Sequence, residues 1–183
     1  MKNKIVLGVT GSIAAYKAAE ICSRLTGAGF DVSVIMTENA EKIISAQTFF
    51  TLSKNPVVKD LWNISDWRPG HIALADCASV FAVAPATANF LGKYANGIAD
   101  DALTTFALSF EGKVLIAPAM NPKMWRHPAV QNNVAALKKR GVKFAGPVSG
   151  KVACGTDTAP GRMADVSLIT EEIENLMLEK KEN

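Results

Sequence analysis

Cysteine and histidine are scarce in this 183-residue chain: Cys22, Cys77 and Cys154 are its three cysteines, His71 and His127 its two histidines. Cysteines so few and so far apart supply neither a disulfide framework nor a Cys-x-x-Cys metal pair. With only two histidines to add, no metal site is expected. No apolar run approaches the roughly 18 residues of a membrane span. The charged start MKNK leads straight into the strand-like IVLGV instead of a signal-peptide core. A cytoplasmic location is the expectation. The net charge is only +3, and basic residues are scattered apart from KKR at 138–140 and the terminal EKKEN. That leaves no footprint for nucleic acid. Internal repeats and low-complexity linkers are missing too. With 49% hydrophobic and 20% charged residues the chain fits one domain over 1–183, and its tail from about 179 is expected to be disordered.

What is present is an alternation. Short apolar, β-branched runs stand at 4–9, 31–36, 79–84, 113–117 and 142–146, with NPVVKDL (55–61) a weaker candidate. Their near-continuous apolar character fits parallel strands covered on both faces. Helical patterns fill the intervals at 12–27, about 39–53, about 71–77, 87–109 with a break near Gly97, 128–140 and about 167–180. Strands alternating with helices imply right-handed crossovers and an α/β fold with a doubly wound parallel sheet, in which ligands bind beyond the carboxyl ends of the strands.

The motifs fall at those ends. After the first strand comes GVTGSIAAYK, where Gly8 and Gly11 allow a tight turn and Ser12 stands at the N-cap position of a helix. Amides at such a helix start attract a phosphate. The spacing is not Gly-x-Gly-x-x-Gly, so a mononucleotide is preferred to a dinucleotide; a purely structural cap explains the same residues. After the second strand, MTENA offers Thr37 and Asn39 either to that phosphate or as a cap for the next helix. The third strand is expected to stop at Pro85, followed by Thr87 and Asn89, polar groups where a ligand is usually met. Asp100 and Asp101 read as one cap and one solvated charge, since adjacent helical residues point apart.

The fourth strand runs into PAMNPKMW (118–125). Asn121 can give two hydrogen bonds to a carboxylate, with Met120, Met124 and Trp125 as an apolar wall; a proline-bracketed turn that packs its Trp into the core is the other reading. His71, in RPGHIALADCASV, is either a catalyst or a surface or capping residue, and His127 reads as structural. The glycine-rich SGKVACGTDTAPGRMAD (149–165) has the length of a functional lid, with Cys154 facing inward and Arg162 and Met163 beyond. Cys22 and Cys77 read as core fillers.

Taken together, these residues resemble the flavin-containing cysteine decarboxylases: the phosphopantothenoylcysteine decarboxylases of coenzyme A synthesis and the peptidyl-cysteine decarboxylases of lantibiotic producers. The resemblance runs from Lys4 to about Leu178. It rests on GSIAAYK as the phosphate turn, HIALA as the catalytic-histidine segment, PATAN, PAMNPKMW, and ACG with GRM as the substrate clamp. Phe90 departs from the Thr that closes the family's Pro-Ala-Ser-Ala-Asn-Thr motif, while Thr87 keeps the hydroxyl of its Ser.

The resemblance implies flavodoxin-like, Rossmann-like three-layer subunits assembled as a trimer or a dodecamer of trimers, with FMN at a subunit interface. Gly11, Ser12, Ile13, Thr37, Thr87, Ala88, Asn89 and the backbone around Ala119 would hold FMN. Asn121, Met120, Ala153 and Met163 would contact substrate, and His71 would be the acid-base residue supplied by a neighbouring subunit. It further implies that the substrate's cysteine is first oxidised to a thioaldehyde, which accepts electrons as CO₂ leaves. The ene-thiol so formed is then reduced and protonated, with Cys154 as proton donor. A thiol of ordinary pKa near ~8.5 is mostly protonated at neutral pH, as a donor must be. Peptide-acting relatives stop at the ene-thiol and lack this cysteine, so Cys154 favours 4'-phosphopantothenoylcysteine as substrate and 4'-phosphopantetheine as product. A separate synthetase is then expected to make the substrate. A peptidyl-cysteine decarboxylase, a flavin prenyltransferase and a non-catalytic FMN-binding regulator are the alternatives.

Overall fold

The computed structural model describes residues 3–61, 70–150 and 159–179. Five strands, β1 (Lys4–Val9), β2 (Asp31–Met36), β3 (Ala78–Ala86), β4 (Lys113–Pro118) and β5 (Lys143–Phe144), form one sheet in the order β2-β1-β3-β4-β5. Every pairing is parallel. This is the flavodoxin-like strand order, whose direction of winding reverses between β1 and β3.

Why the sheet is covered on both faces is visible in its alternation. Ile5, Leu7 and Val9 of β1, Val80, Ala82 and Ala84 of β3, and Leu115 and Ala117 of β4 enter one core with helices α1 (Ala15–Gly27), α3 (Ala46–Ser53) and α9 (Val166–Leu178). The intervening Val6, Phe81, Val83, Val114 and Ile116 enter a second core with α5 (Ala88–Asn96), α6 (Ala102–Ser109) and α8 (Pro128–Lys139). Successive strand residues point to opposite faces, so the apolar runs in the sequence are two interleaved half-patterns. Each large side chain removed from water contributes about 1.5–3 kcal/mol. A one-residue slip of a central strand would forfeit more than a typical net stability of about 5–15 kcal/mol.

Local chemistry fixes the element ends. The Thr37 hydroxyl accepts the Ala40 N–H and starts the short α2 (Glu38–Glu41), and Ser45 accepts the Gln47 N–H to start α3. The single helix expected over 39–53 is therefore two, because each of these residues caps a separate start. Gly97, at φ +71°, ends α5 where the break was expected. Asp101 forms a capping box with Thr104 and opens α6, while Asp100 pairs with Lys93 at 2.7 Å. The two acids thus divide into a cap and an ion-paired surface charge. His127 caps α8, its Nδ1 accepting the Ala129 N–H at 3.2 Å.

Other expectations need correction. Pro85 does not stop the third strand, which runs to Ala86 with a register shift between Val83 and Ala86. The fifth strand shrinks to Lys143–Phe144 because Gly146 turns away at φ +82°. NPVVKDL contributes only a bridge between Val58 and Ile35 at the outer edge of β2. Cys22 is fully buried, and desolvation pushes its thiol up to about 11. Cys77 is only half-buried, with its thiol against the Leu74 carbonyl, so it is not the core filler expected.

Candidate active site

The carboxyl ends of β1, β3 and β4 lie side by side, and each releases one of the singled-out motifs. Above them is a cavity of about 480 Å³. The turn after β1 contributes Gly11, Ser12 and Ile13. The start of α5 adds Thr87 and Ala88, and the segment after β4 adds Ala119, Met120, Asn121 and Met124. Gly161, Arg162 and Met163 form its far wall. A second depression of about 490 Å³ shares Gly11, Thr87, Ala88 and Met124 and carries Thr37, Asn39 and Asn89. Every described residue assigned to cofactor or substrate in the sequence thus lines one of two adjoining cavities. Ala153 and Cys154 lie outside the described residues, as does the His71 side chain; the His71 backbone falls in α4 (Gly70–Cys77).

The turn after β1 differs from its expected form. Ser12 is not the N-cap of α1; Ala14 is, and no side chain caps that helix. Ser12 instead holds the turn, its Oγ accepting the Ala14 N–H at 3.4 Å and its carbonyl the Ala15 N–H at 2.8 Å. Gly8 and Gly11 do not have the positive φ that would demand glycine. What Gly11 needs is space, since a Cβ there would lie 2.5 Å from the Asn39 Cβ. The turn is thereby pressed against the start of α2, with the uncapped α1 amides beside it, an arrangement that favours an anion.

After β4, Asn121 starts α7 (Pro122–Arg126), its Oδ1 accepting the Lys123 N–H at 2.8 Å. That bond fixes which end of the amide is oxygen and makes the other its NH₂ donor. Trp125 does not line the cavity; it packs, partly buried, against the second core. Its role is the structural one of the two readings. Gly161 closes on this segment, its carbonyl accepting the Met120 N–H at 3.0 Å, and Val148 and Arg162 bridge as an antiparallel pair. Met163 is 1% exposed and packs into the first core as well as lining the cavity.

Charge is distributed unevenly. The described lining of the 480 Å³ cavity includes Lys17 and Arg162 and no acid. Arg162 Nε is buried without a hydrogen-bond partner among the described residues, while its NH2 reaches Asp165 at 3.3 Å. In the second depression the hydrogen bond to Asp100 raises Lys93 above the usual ammonium range and holds Asp100 below the usual carboxylate range. At the rim, Ile13 and Tyr16 are more than 60% exposed and Met124 nearly half, so an apolar surface surrounds a cationic, donor-rich interior. The uncapped helix start, the tight Gly11 turn and the orphaned guanidinium nitrogen fit a phosphorylated, flat apolar ligand such as FMN.

Sequence reasoning missed Tyr16 and Lys17 as liners, whereas Gly161 belongs to the GRM segment expected at the substrate. Tyr16 and Lys17 stand inside GSIAAYK, in the first turn of a helix whose facing direction the motif does not specify. Thr10, buried and part of the lining of the second depression, gave no signal in the sequence.

Comparison with known proteins bears on this geometry. A family model described as "Flavoprotein" matches residues 1–178. The chain is 45% identical over 177 residues to a probable phosphopantothenoylcysteine decarboxylase of Streptococcus mutans, covering 95% of this chain and 98% of that one. It is 47% identical over 154 residues to the coenzyme A biosynthesis bifunctional protein CoaBC of Bacillus subtilis; these cover 82% of this chain but only 37% of the relative. Among solved structures, the FMN-dependent cysteine decarboxylase SpaF superposes with a TM-score of 0.81 at 32% identity, over 95% of this chain and 97% of that one.

Proposed function

The chain belongs to the flavoprotein family, and from that premise we propose that it is an FMN-dependent decarboxylase that converts 4'-phosphopantothenoylcysteine to 4'-phosphopantetheine and CO₂. One observation carries the reading: Asn121 of PAMNPKMW lines the same cavity as Ser12 and Thr87, so a carboxylate donor and a phosphate-type turn face one space. The relative of matching length named as such a decarboxylase supports the choice of substrate. The bifunctional relatives supply the case for a synthetase activity acting before it in the same pathway.

Losing CO₂ from an unactivated cysteine leaves a carbanion with no place to delocalise. FMN held in this cavity would supply the missing electron sink through its two-electron redox chemistry. This chain's residues do the rest. Gly11, Ser12, Ile13, Thr37, Thr87, Ala88 and Asn89 would hold the cofactor, with the Ala119 backbone at its edge. Asn121 binds the carboxylate until it departs, and Met120 and Met163, both in the cavity wall, keep water from the reacting carbon. Lys17 and Arg162 make the interior favourable to the anionic substrate. His71 and Cys154 are the proposed proton carriers, the histidine for the oxidation and the cysteine for protonating the final carbon. The exposed rim of Ile13, Tyr16 and Met124 supports a neighbouring subunit covering the site, as in the proposed trimer, from which His71 would reach in.

The test is direct. Purified chain with FMN and 4'-phosphopantothenoylcysteine should yield 4'-phosphopantetheine, 44 Da lighter by mass spectrometry, as set by the mass of CO₂. Conversion of a peptide ending in cysteine, with the phosphorylated substrate untouched, would contradict the proposal.

A further inference from the structure

Five buried residues among those described are polar: Thr10, Ser33, Ser53, Thr104 and Thr170. Thr104 and Thr170 bond within their own helix turns, and Ser53 bonds two residues away. Ser33 receives a bond from Lys4 of the neighbouring strand. Thr10 is different. Its Oγ1 donates to the Pro85 carbonyl at 2.8 Å and accepts the Thr87 N–H at 3.0 Å, reaching across 75 and 77 residues of chain.

The place of this hydroxyl explains why the chain buries it. At Pro85 the β3 ladder is irregular: proline has no N–H to give, and register with β4 shifts between Val83 and Ala86. The Pro85 carbonyl and the Thr87 amide therefore need partners from elsewhere, since unpaired backbone groups in a core are costly. The Thr10 N–H reaches the Pro85 carbonyl at only 3.3 Å. Its hydroxyl serves both groups at shorter range, acting once as donor and once as acceptor. Valine would have the same shape and suit the apolar surroundings, but could serve neither.

Thr10 directly precedes Gly11 and Ser12. Thr87, which it holds, caps α5 by accepting the Phe90 N–H at 3.4 Å and lines both cavities with Ala88. We propose that Thr10 is a positioning residue for the cofactor site: its hydroxyl, spent on these two backbone bonds, sets the distance between the turn after β1 and the start of α5, two neighbouring segments that line the proposed FMN site together. The inference rests on the FMN reading above.

Binding of FMN to the FMN-free protein, followed by quenching of flavin fluorescence, tests it in the wild type, Thr10→Val and Thr10→Ser. The valine variant, which loses both bonds of the hydroxyl, should bind FMN about tenfold more weakly, the scale on which a buried hydrogen-bond defect is felt. The serine variant, which keeps both bonds, should stay within about twofold. Equal affinity in wild type and Thr10→Val overturns the inference, even if the valine variant melts lower, because the hydroxyl would then be structural only. A serine variant as weak as valine overturns it too. Should Thr10→Val fail to fold, amide exchange in the FMN-free wild type decides: Thr87 N–H should exchange as slowly as the core amides of β3, and exchange at the rate of an open amide would overturn the role. A wild type that takes up no FMN contradicts the reading of the site itself and removes this inference with it.

Discussion

Asn121 does two jobs with the two ends of one amide, and substitution separates them. Its Oδ1 accepts the Lys123 N–H and starts α7; its NH₂ is the donor the proposed carboxylate needs. Aspartate is as good an N-cap as asparagine, so Asn121→Asp should melt at the wild-type temperature. It replaces the donors with a negative charge, however, and should weaken substrate binding by about 1.5–3 kcal/mol, more than tenfold. Asn121→Ala loses both functions and should also cost about 1 kcal/mol of stability. Thermal melts set beside substrate titrations check the split; an aspartate variant that turns over normally would remove Asn121 from the carboxylate site. The sequence showed that this asparagine was unusual between two prolines, but not that half of it is spent on a helix start. Thr10 was less legible still, because a hydroxyl whose partners lie 75 and 77 residues away leaves no local signal.

Among the elements, the active part is the set of turns that leave the strands, and their fit is steric. A Cβ on Gly161 would stand 2.6 Å from the Met120 carbonyl oxygen and 3.0 Å from the Pro122 nitrogen. Both neighbours are backbone, so neither can swing aside. Gly161→Ala should therefore cost about 1–3 kcal/mol, as overpacking does, and push the far wall off the segment after β4. Urea unfolding gives the cost. Gly27→Ala, where nothing lies within 4 Å, is the control and should be neutral or slightly stabilising. If the two variants unfold at the same midpoint, the close packing of Gly161 on the strand end is wrong. Strands were readable from continuous apolar runs, and so was the break at Gly97, because burial on both faces and a left-handed cap each leave a compositional trace. The five residues of α7 and the division at Ser45 were not readable, since so short a helix shows no periodicity. Helix α1 begins at Ala15 instead of 12 because Ser12 closes a turn with its carbonyl instead of serving as the cap.

At the scale of the whole molecule, the reversal of winding between β1 and β3 opens a crevice beyond the strand ends, and parts of the chain from Thr10 to Met163 meet there. The sequence carried these parts as separate motifs whose common location followed from one rule of α/β folds. Their division into two adjoining cavities, and the loss of Trp125 to the core, depended on packing that no motif encodes. The central claim is that this crevice holds FMN, and titration of FMN into the FMN-free protein tests it most directly. Quenching of flavin fluorescence should saturate at one FMN per chain, with a shifted absorbance band and a higher melting temperature, since a ligand that binds only the folded state stabilises it. A titration with no saturable quenching and an unchanged melt would contradict it.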